Sequence, residues 1–146
     1  ITRLSESIGE FPRIDDRFTG LPYRYGWMLE INPTKPVDTA VRSIPGMLLN
    51  SLCLLDLQTG KEQHWWCGPT ATLQEPCFIP RSKDAPEGDG WIVQICNRLE
   101  EHRSDLLLFD ALDIEKGPIA TINIPIRMRF GLHGNWASAE DIGLAA

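Results

Sequence analysis

Only three histidines occur in this chain, His64, His102 and His133, and none of the four cysteines forms a Cys-x-x-Cys pair. That spacing argues against a self-contained zinc site. Basic runs are also missing. Fourteen Lys and Arg against twenty Asp and Glu give a net charge of −6, which argues against a nucleic-acid partner. No segment approaches the roughly 18 consecutive apolar residues of a membrane-spanning helix. The longest apolar region, Ile44 to Leu57, is broken by Gly46, Asn50, Ser51 and Asp56 and reads as a buried strand. Helical periodicity is nearly missing. A starting methionine is missing too: the chain opens Ile1-Thr2-Arg3-Leu4-Ser5-Glu6, without a recognisable signal peptide, and reads as a piece of a longer protein.

What is present is one domain's worth of chain or less, with enough apolar residues (42%) for an ordinary core. Cys53, Cys67, Cys77 and Cys96 lie inside apolar segments, where a free thiol behaves as a small hydrophobe. They are read as reduced and the setting as cytoplasmic, with any membrane association made through regions outside this sequence.

Residues 1–9 form a polar lead-in with room for a helical turn. Strands are predicted at Glu10–Ile14, Tyr23–Ile31, Met47–Leu57, Glu62–Cys67, Glu75–Arg81, Trp91–Asn97, Asp105–Asp110 and Ile119–Ile124. The segment 32–45 holds three prolines and reads as a loop. Many short strands with turn signals between them mean an all-β fold. Four of the five tryptophans fall in predicted strands, and all five (Trp27, Trp65, Trp66, Trp91 and Trp136) are read as packing residues.

A weak repeat refines the fold. Leu54-Leu55-Asp56 followed by Gly60 resembles Leu108-Phe109-Asp110 followed by Gly117, with the two aspartates 54 residues apart. Each glycine precedes a strand and then a distinctive stretch. Glu75 lies 15 residues past Gly60, and His133 lies 16 past Gly117. A period near 50 residues with about four short strands per unit is the mark of a β-propeller blade. The repeat puts Glu75 and His133 at equivalent points of adjacent blades, close to the axis, and Glu10 one unit earlier. Two blades and part of a third do not close a propeller.

The distinctive stretch, Ile124-Pro125-Ile126-Arg127-Met128-Arg129-Phe130-Gly131-Leu132-His133-Gly134-Asn135-Trp136, sets one histidine between two glycines. Glycines permit close approach of backbone to a bound group. Taken alone, a loop histidine is more often a hydrogen-bonded group than a metal ligand.

Six motifs in order carry a resemblance. They are Glu10-Phe11-Pro12-Arg13-Ile14-Asp15, Tyr23-Arg24-Tyr25-Gly26, Glu75-Pro76-Cys77-Phe78-Ile79-Pro80-Arg81, Asp89-Gly90-Trp91-Ile92-Val93, Ser104 to Ala111, and Gly131-Leu132-His133-Gly134-Asn135-Trp136. Along essentially the whole of residues 1–146 the chain resembles the C-terminal portion of the carotenoid cleavage oxygenases, which include the lignostilbene dioxygenases. The resemblance implies the last two to three blades of a seven-bladed β-propeller carrying one non-haem Fe(II) on its axis. In that family four histidines bind the iron and glutamates orient several of them. His133 matches the last ligand, while Glu10 and Glu75 match the orienting carboxylates. His64 and His102 match no ligand and are read as exposed or incidental. Phe130 and Leu132 flank His133 and are candidates for the substrate cavity, a plain core role being the alternative. Where family members often carry Phe before the histidine, this chain has Leu132.

The implied activity is cleavage of a conjugated C=C bond of a carotenoid, apocarotenoid or stilbene by O2, giving two carbonyl products. The implied partners are the N-terminal remainder of the propeller, a hydrophobic polyene or stilbene, and O2. The wording of the terminal motif leans toward the lignostilbene branch. From the repeat alone, a metal-free propeller module for protein binding stays open. With one of four ligands present, the isolated chain is expected to be inactive and to retain no tight iron. Iron analysis after desalting checks this, and near-stoichiometric iron would contradict it.

Overall fold

The computed structural model describes residues 3–40 and 49–144. Its strands are β1 (Ile8–Arg13), β2 (Tyr25–Ile31), β3 (Ser51–Asp56), β4 (Lys61–Trp66), β5 (Ala71–Leu73), β6 (Cys77–Pro80), β7 (Gly90–Arg98), β8 (Arg103–Asp110) and β9 (Ala120–Ile124). Every pairing is antiparallel. The first sheet runs β1-β2-β3-β4 and the second β5-β7-β8-β9, with β6 also on β7. Ala71–Leu73 pairs with Cys96–Arg98, and Cys77–Pro80 with Gly90–Val93. Strands β5 and β6 are thus two halves of one strand, broken at Gln74-Glu75-Pro76. Each sheet is then a four-stranded meander, the form of a propeller blade.

The predicted strands all have counterparts, with shifts at their ends. Strand β1 begins at Ile8, inside the expected polar lead-in, and no helical turn forms among residues 3–7. The start of the predicted Met47–Leu57 strand and Pro45 of the loop fall in 41–48, outside the described residues. Strand β5 was not expected, because Ala71-Thr72-Leu73 is too short to register as a run. Its burial shows that packing, not propensity, makes it a strand.

The repeat has a physical cause. Asp56 ends β3 and Asp110 ends β8, the third strand of each sheet, and each side chain takes up the turn that follows. Asp56 accepts from the Gln58 amide at 2.9 Å, and Asp110 from the Leu112 amide at 3.0 Å. Arg24 grips Asp56 through Nε (2.9 Å) and Nη2 (2.7 Å), and this bidentate contact holds the Asp56 carboxyl well below the usual carboxylate range.

The two sheets share one core. Trp27, Leu29, Leu52 and Leu54 of the first sheet meet Leu73, Phe78, Ile92, Leu107 and Phe109 of the second. Trp27 stacks on Phe78 with centroids 5.0 Å apart, Trp65 meets Phe109 edge-on at 4.9 Å, and the Trp27 indole donates to the Ala111 carbonyl at 2.8 Å. Such aromatic pairs add about 0.5–1.5 kcal/mol beyond their burial. Trp91 sits under the Arg81 guanidinium at 4.6 Å. Trp136 departs from the packing role expected of it. It is 51% exposed, because it follows a segment that belongs to neither sheet.

That segment, after β9, holds no strand and is fixed by side chains. Ser104 Oγ accepts from the Met128 amide at 2.9 Å. Gln74 grips both sides of Phe130: its Nε2 donates to the Arg129 carbonyl and its Oε1 accepts from the Gly131 amide, each at 3.2 Å. A Cβ on Gly131 would lie 2.8 Å from Gln74 Oε1, so glycine permits this approach. Gln74 is itself buried and held by β7, through Ile95 O and through Gln94 Nε2 on its own carbonyl, both 2.9 Å.

Replacing Gln74 by Ala removes both grips on the backbone around Phe130, at a cost of about 0.5–1.5 kcal/mol for each hydrogen bond lost. The Gly131 amide should then exchange its hydrogen about 10–100-fold faster, while the β7–β8 amides stay unchanged. Hydrogen-exchange NMR checks this.

Candidate metal centre

The strand break presents Glu75 to the terminal segment. Its side chain is only 7% exposed. Oε2 accepts from the Gly134 amide at 2.9 Å and from His133 Nδ1 at 3.3 Å. A carboxylate only accepts, so Nδ1 carries the hydrogen and the neutral ring is left with its lone pair on Nε2. That nitrogen has no hydrogen-bond partner among the described residues, and the His133 side chain is 78% exposed. The arrangement is that of a ligating histidine, whose second nitrogen donates to a carboxylate that fixes tautomer and ring orientation.

Arg13 secures the carboxylate from the other side. Its Nη1 lies 3.5 Å from Glu75 Oε1, and its Nη2 donates to Asn135 Oδ1 at 2.9 Å. Asn135 Oδ1 also accepts from the Trp136 amide at 2.9 Å. Arg13 therefore ties β1, the strand break and the terminal motif together. The β1–β2 register shifts between Glu10 and Arg13, and within this bulge Phe11 takes φ +53°, a conformation costly for a bulky side chain. The Phe11 ring meets His133 edge-on, with centroids 5.7 Å apart.

Glu75 and His133, read from the sequence as neighbours across adjacent repeats, are brought together. Glu10 is not joined to them. It is exposed, its carboxylate makes no hydrogen bond or ion pair with any described residue, and its strand neighbours Phe11 and Arg13 reach the histidine motif instead. Phe130 packs against the core, and Leu132 is 62% exposed. Arg13 and Asn135 could have been found, since both lie inside the motifs that carried the resemblance. Gln74 had no such signal: one glutamine after an apolar triplet looks like a strand end.

His102 is exposed, as expected. His64 corrects its expectation. It is half-buried, with Nδ1 2.7 Å from Glu30 Oε2 and Nε2 3.3 Å from Glu62 Oε2, because it lies beside β3 on a face where Glu30 and Glu62 also point. Cys53 and Cys77 are free thiols.

The donor chemistry at His133 fits iron: a neutral imidazole held by a carboxylate, with the other nitrogen open. The chain supplies one such ligand there.

Comparison with known proteins gives the family. The family model described as retinal pigment epithelial membrane protein matches residues 2–138. The lignostilbene-alpha,beta-dioxygenase isozyme III of Sphingomonas paucimobilis is 45% identical over 146 residues, covering all of this chain and 30% of that protein. Resveratrol cleavage oxygenase 1 of Chaetomium globosum is 39% identical over 158 residues, covering 92% of this chain and 26% of that protein. The crystal structure of Pseudomonas brassicacearum lignostilbene dioxygenase superposes with a TM-score of 0.87 at 46% identity, covering 92% of this chain and 28% of that one. The chain thus spans under a third of the length of these relatives. Its two meanders are blades of the same propeller, and the chain belongs to the retinal pigment epithelial membrane protein family, the carotenoid cleavage oxygenases.

Proposed function

We propose that the chain is the C-terminal portion of a non-haem Fe(II) dioxygenase that cleaves a conjugated C=C bond, in the stilbene-cleaving branch of the family. The observation that carries this reading is the Glu75–His133 pair. The 45% identity to a lignostilbene dioxygenase supports the choice of branch.

In this reading His133 offers Nε2 to the iron, and the remaining ligands come from the part of the propeller outside this sequence. Fe(II), when bound, supplies the reducing centre that engages O2. Overall, the C=C bond is broken, one oxygen atom enters each product, and the four electrons gained by O2 come from the alkene carbons as they become two carbonyls. The chain's own residues orient and confine. Glu75 keeps hydrogen on Nδ1, and Arg13 holds the Glu75 carboxylate in place. Phe11 closes one side of the imidazole ring against rotation. The exposed apolar side chains Ile126, Met128 and Leu132 form a surface suited to an aromatic substrate or to the adjoining blade. Glu10 takes part only once ligands from the remainder of the propeller come within its reach.

In the complete enzyme, His133→Ala should abolish iron retention and turnover. Glu75→Gln should keep the fold and lower iron affinity or activity by about 10–100-fold. Metal analysis and a product assay for the two aldehydes check both. Full activity in the His133 variant would contradict the assignment.

A further inference from the structure

A second set of ligating side chains lies on the first sheet, outside the His133 site. In the strand register Cys53 of β3 stands opposite Met28 of β2 on one side and His64 of β4 on the other. Glu30 is two residues beyond Met28, and Glu62 is two before His64. With the period of two along a strand, all five project from the same face, opposite to the one that carries Trp27 and Leu52 into the core. One ligand atom from each of Glu30, Cys53 and His64 lies within 4.8 Å of the other two. Glu30 is 6% exposed and Cys53 fully buried. Ser7 Oγ donates within 3.2 Å of Glu30 Oε1 and 3.4 Å of Glu62 Oε2. Ser7, Glu30, Glu62 and His64 line an open cavity of about 630 Å³, which gives an entry path.

This is a buried carboxylate, a thiol and an imidazole converging from three adjacent strands, with a second carboxylate on the far ring nitrogen. No lysine or arginine forms an ion pair with either glutamate among the described residues, and the His64 ring contacts both. We propose that Glu30, Cys53 and His64 form a binding site for a borderline-soft divalent cation, Zn2+ by its donor set, with Glu62 orienting His64. Sulfur, nitrogen and oxygen donors from three protein ligands, with water in a fourth position, make an open zinc site. The thiolate selects against Mg2+ and Ca2+. Binding replaces the S–H bond of Cys53 by a metal–sulfur bond and releases the proton to solvent. His64 then ligates through Nδ1, now beside Glu30, and carries its hydrogen on Nε2 toward Glu62, the usual carboxylate–histidine–metal arrangement. Burial and the Glu62 and Glu30 carboxylates push the free Cys53 thiol up to about 12, so without a cation it stays protonated.

The test uses the metal-free 146-residue chain and Co2+ as a spectroscopic stand-in for Zn2+. The expected result is a thiolate-to-cobalt charge-transfer band that saturates at one ion per chain and is displaced by Zn2+. His64→Gln and Cys53→Ser should abolish it, Glu62→Gln should weaken binding about 10–100-fold, and His133→Ala should leave it intact. Far-ultraviolet circular dichroism is recorded on every variant. Because Cys53 is fully buried, the half-exposed His64 variant decides if Cys53→Ser unfolds. No thiolate band in the wild-type chain, or a band that survives His64→Gln, would overturn the site and leave His64 as an imidazole bridging two glutamates.

Discussion

The terminal segment has no strand of its own, and its position depends on a single interruption in its neighbour. Where β5 gives way to β6 the regular pairing with β7 is interrupted, the Gln74 amide alone still donating to Ile95 O, and two consecutive side chains, Gln74 and Glu75, turn to the segment. Gln74 holds backbone on both sides of Phe130, and Glu75 holds Gly134 and the His133 ring. Hydrogen bonds to charged groups are each worth about 1.5–3 kcal/mol net, more than the neutral ones they join, so the carboxylate is the stronger half of the clamp.

Everything else serves to keep that clamp rigid. The shared aromatic core fixes the two sheets against each other, which fixes β1 relative to the strand break. Arg13, at the end of β1, can then reach both Glu75 and Asn135. The bulge at Phe11 gives up regular pairing and accepts an unfavourable backbone conformation, and in exchange brings an aromatic edge against His133. A local cost of this kind is stable only because the surrounding sheet over-determines it. Residues on rigid strands position the histidine, while the histidine itself sits on a glycine-flanked loop that can meet groups from elsewhere.

Much of this was legible in the sequence, for reasons that can be named. The repeat was readable because Asp56 and Asp110 do the same job, capping the turn after the third strand, and such turn chemistry leaves a local signature. The Glu75–His133 pairing followed from that period. Side-chain contacts across the fold left no such trace. Strand β5 was too short to show a pattern, and Gln74 is a buried polar residue whose partners are backbone groups 55 and 57 residues away. His64 looked incidental because its partner Glu30 is near it only through β3, a pairing that spacing alone does not reveal. Trp136 resembled the other tryptophans in type, yet its exposure depends on the terminal segment lying outside both sheets.

The central claim is that Glu75 sets His133 in the tautomer with hydrogen on Nδ1 and a free lone pair on Nε2. Long-range proton–nitrogen NMR of the neutral imidazole at alkaline pH reads this directly. The account predicts that His133 is almost wholly the Nδ1-protonated tautomer and that Glu75→Ala returns it toward the mixture of an unconstrained histidine. A ring protonated on Nε2 in the wild-type chain would contradict it.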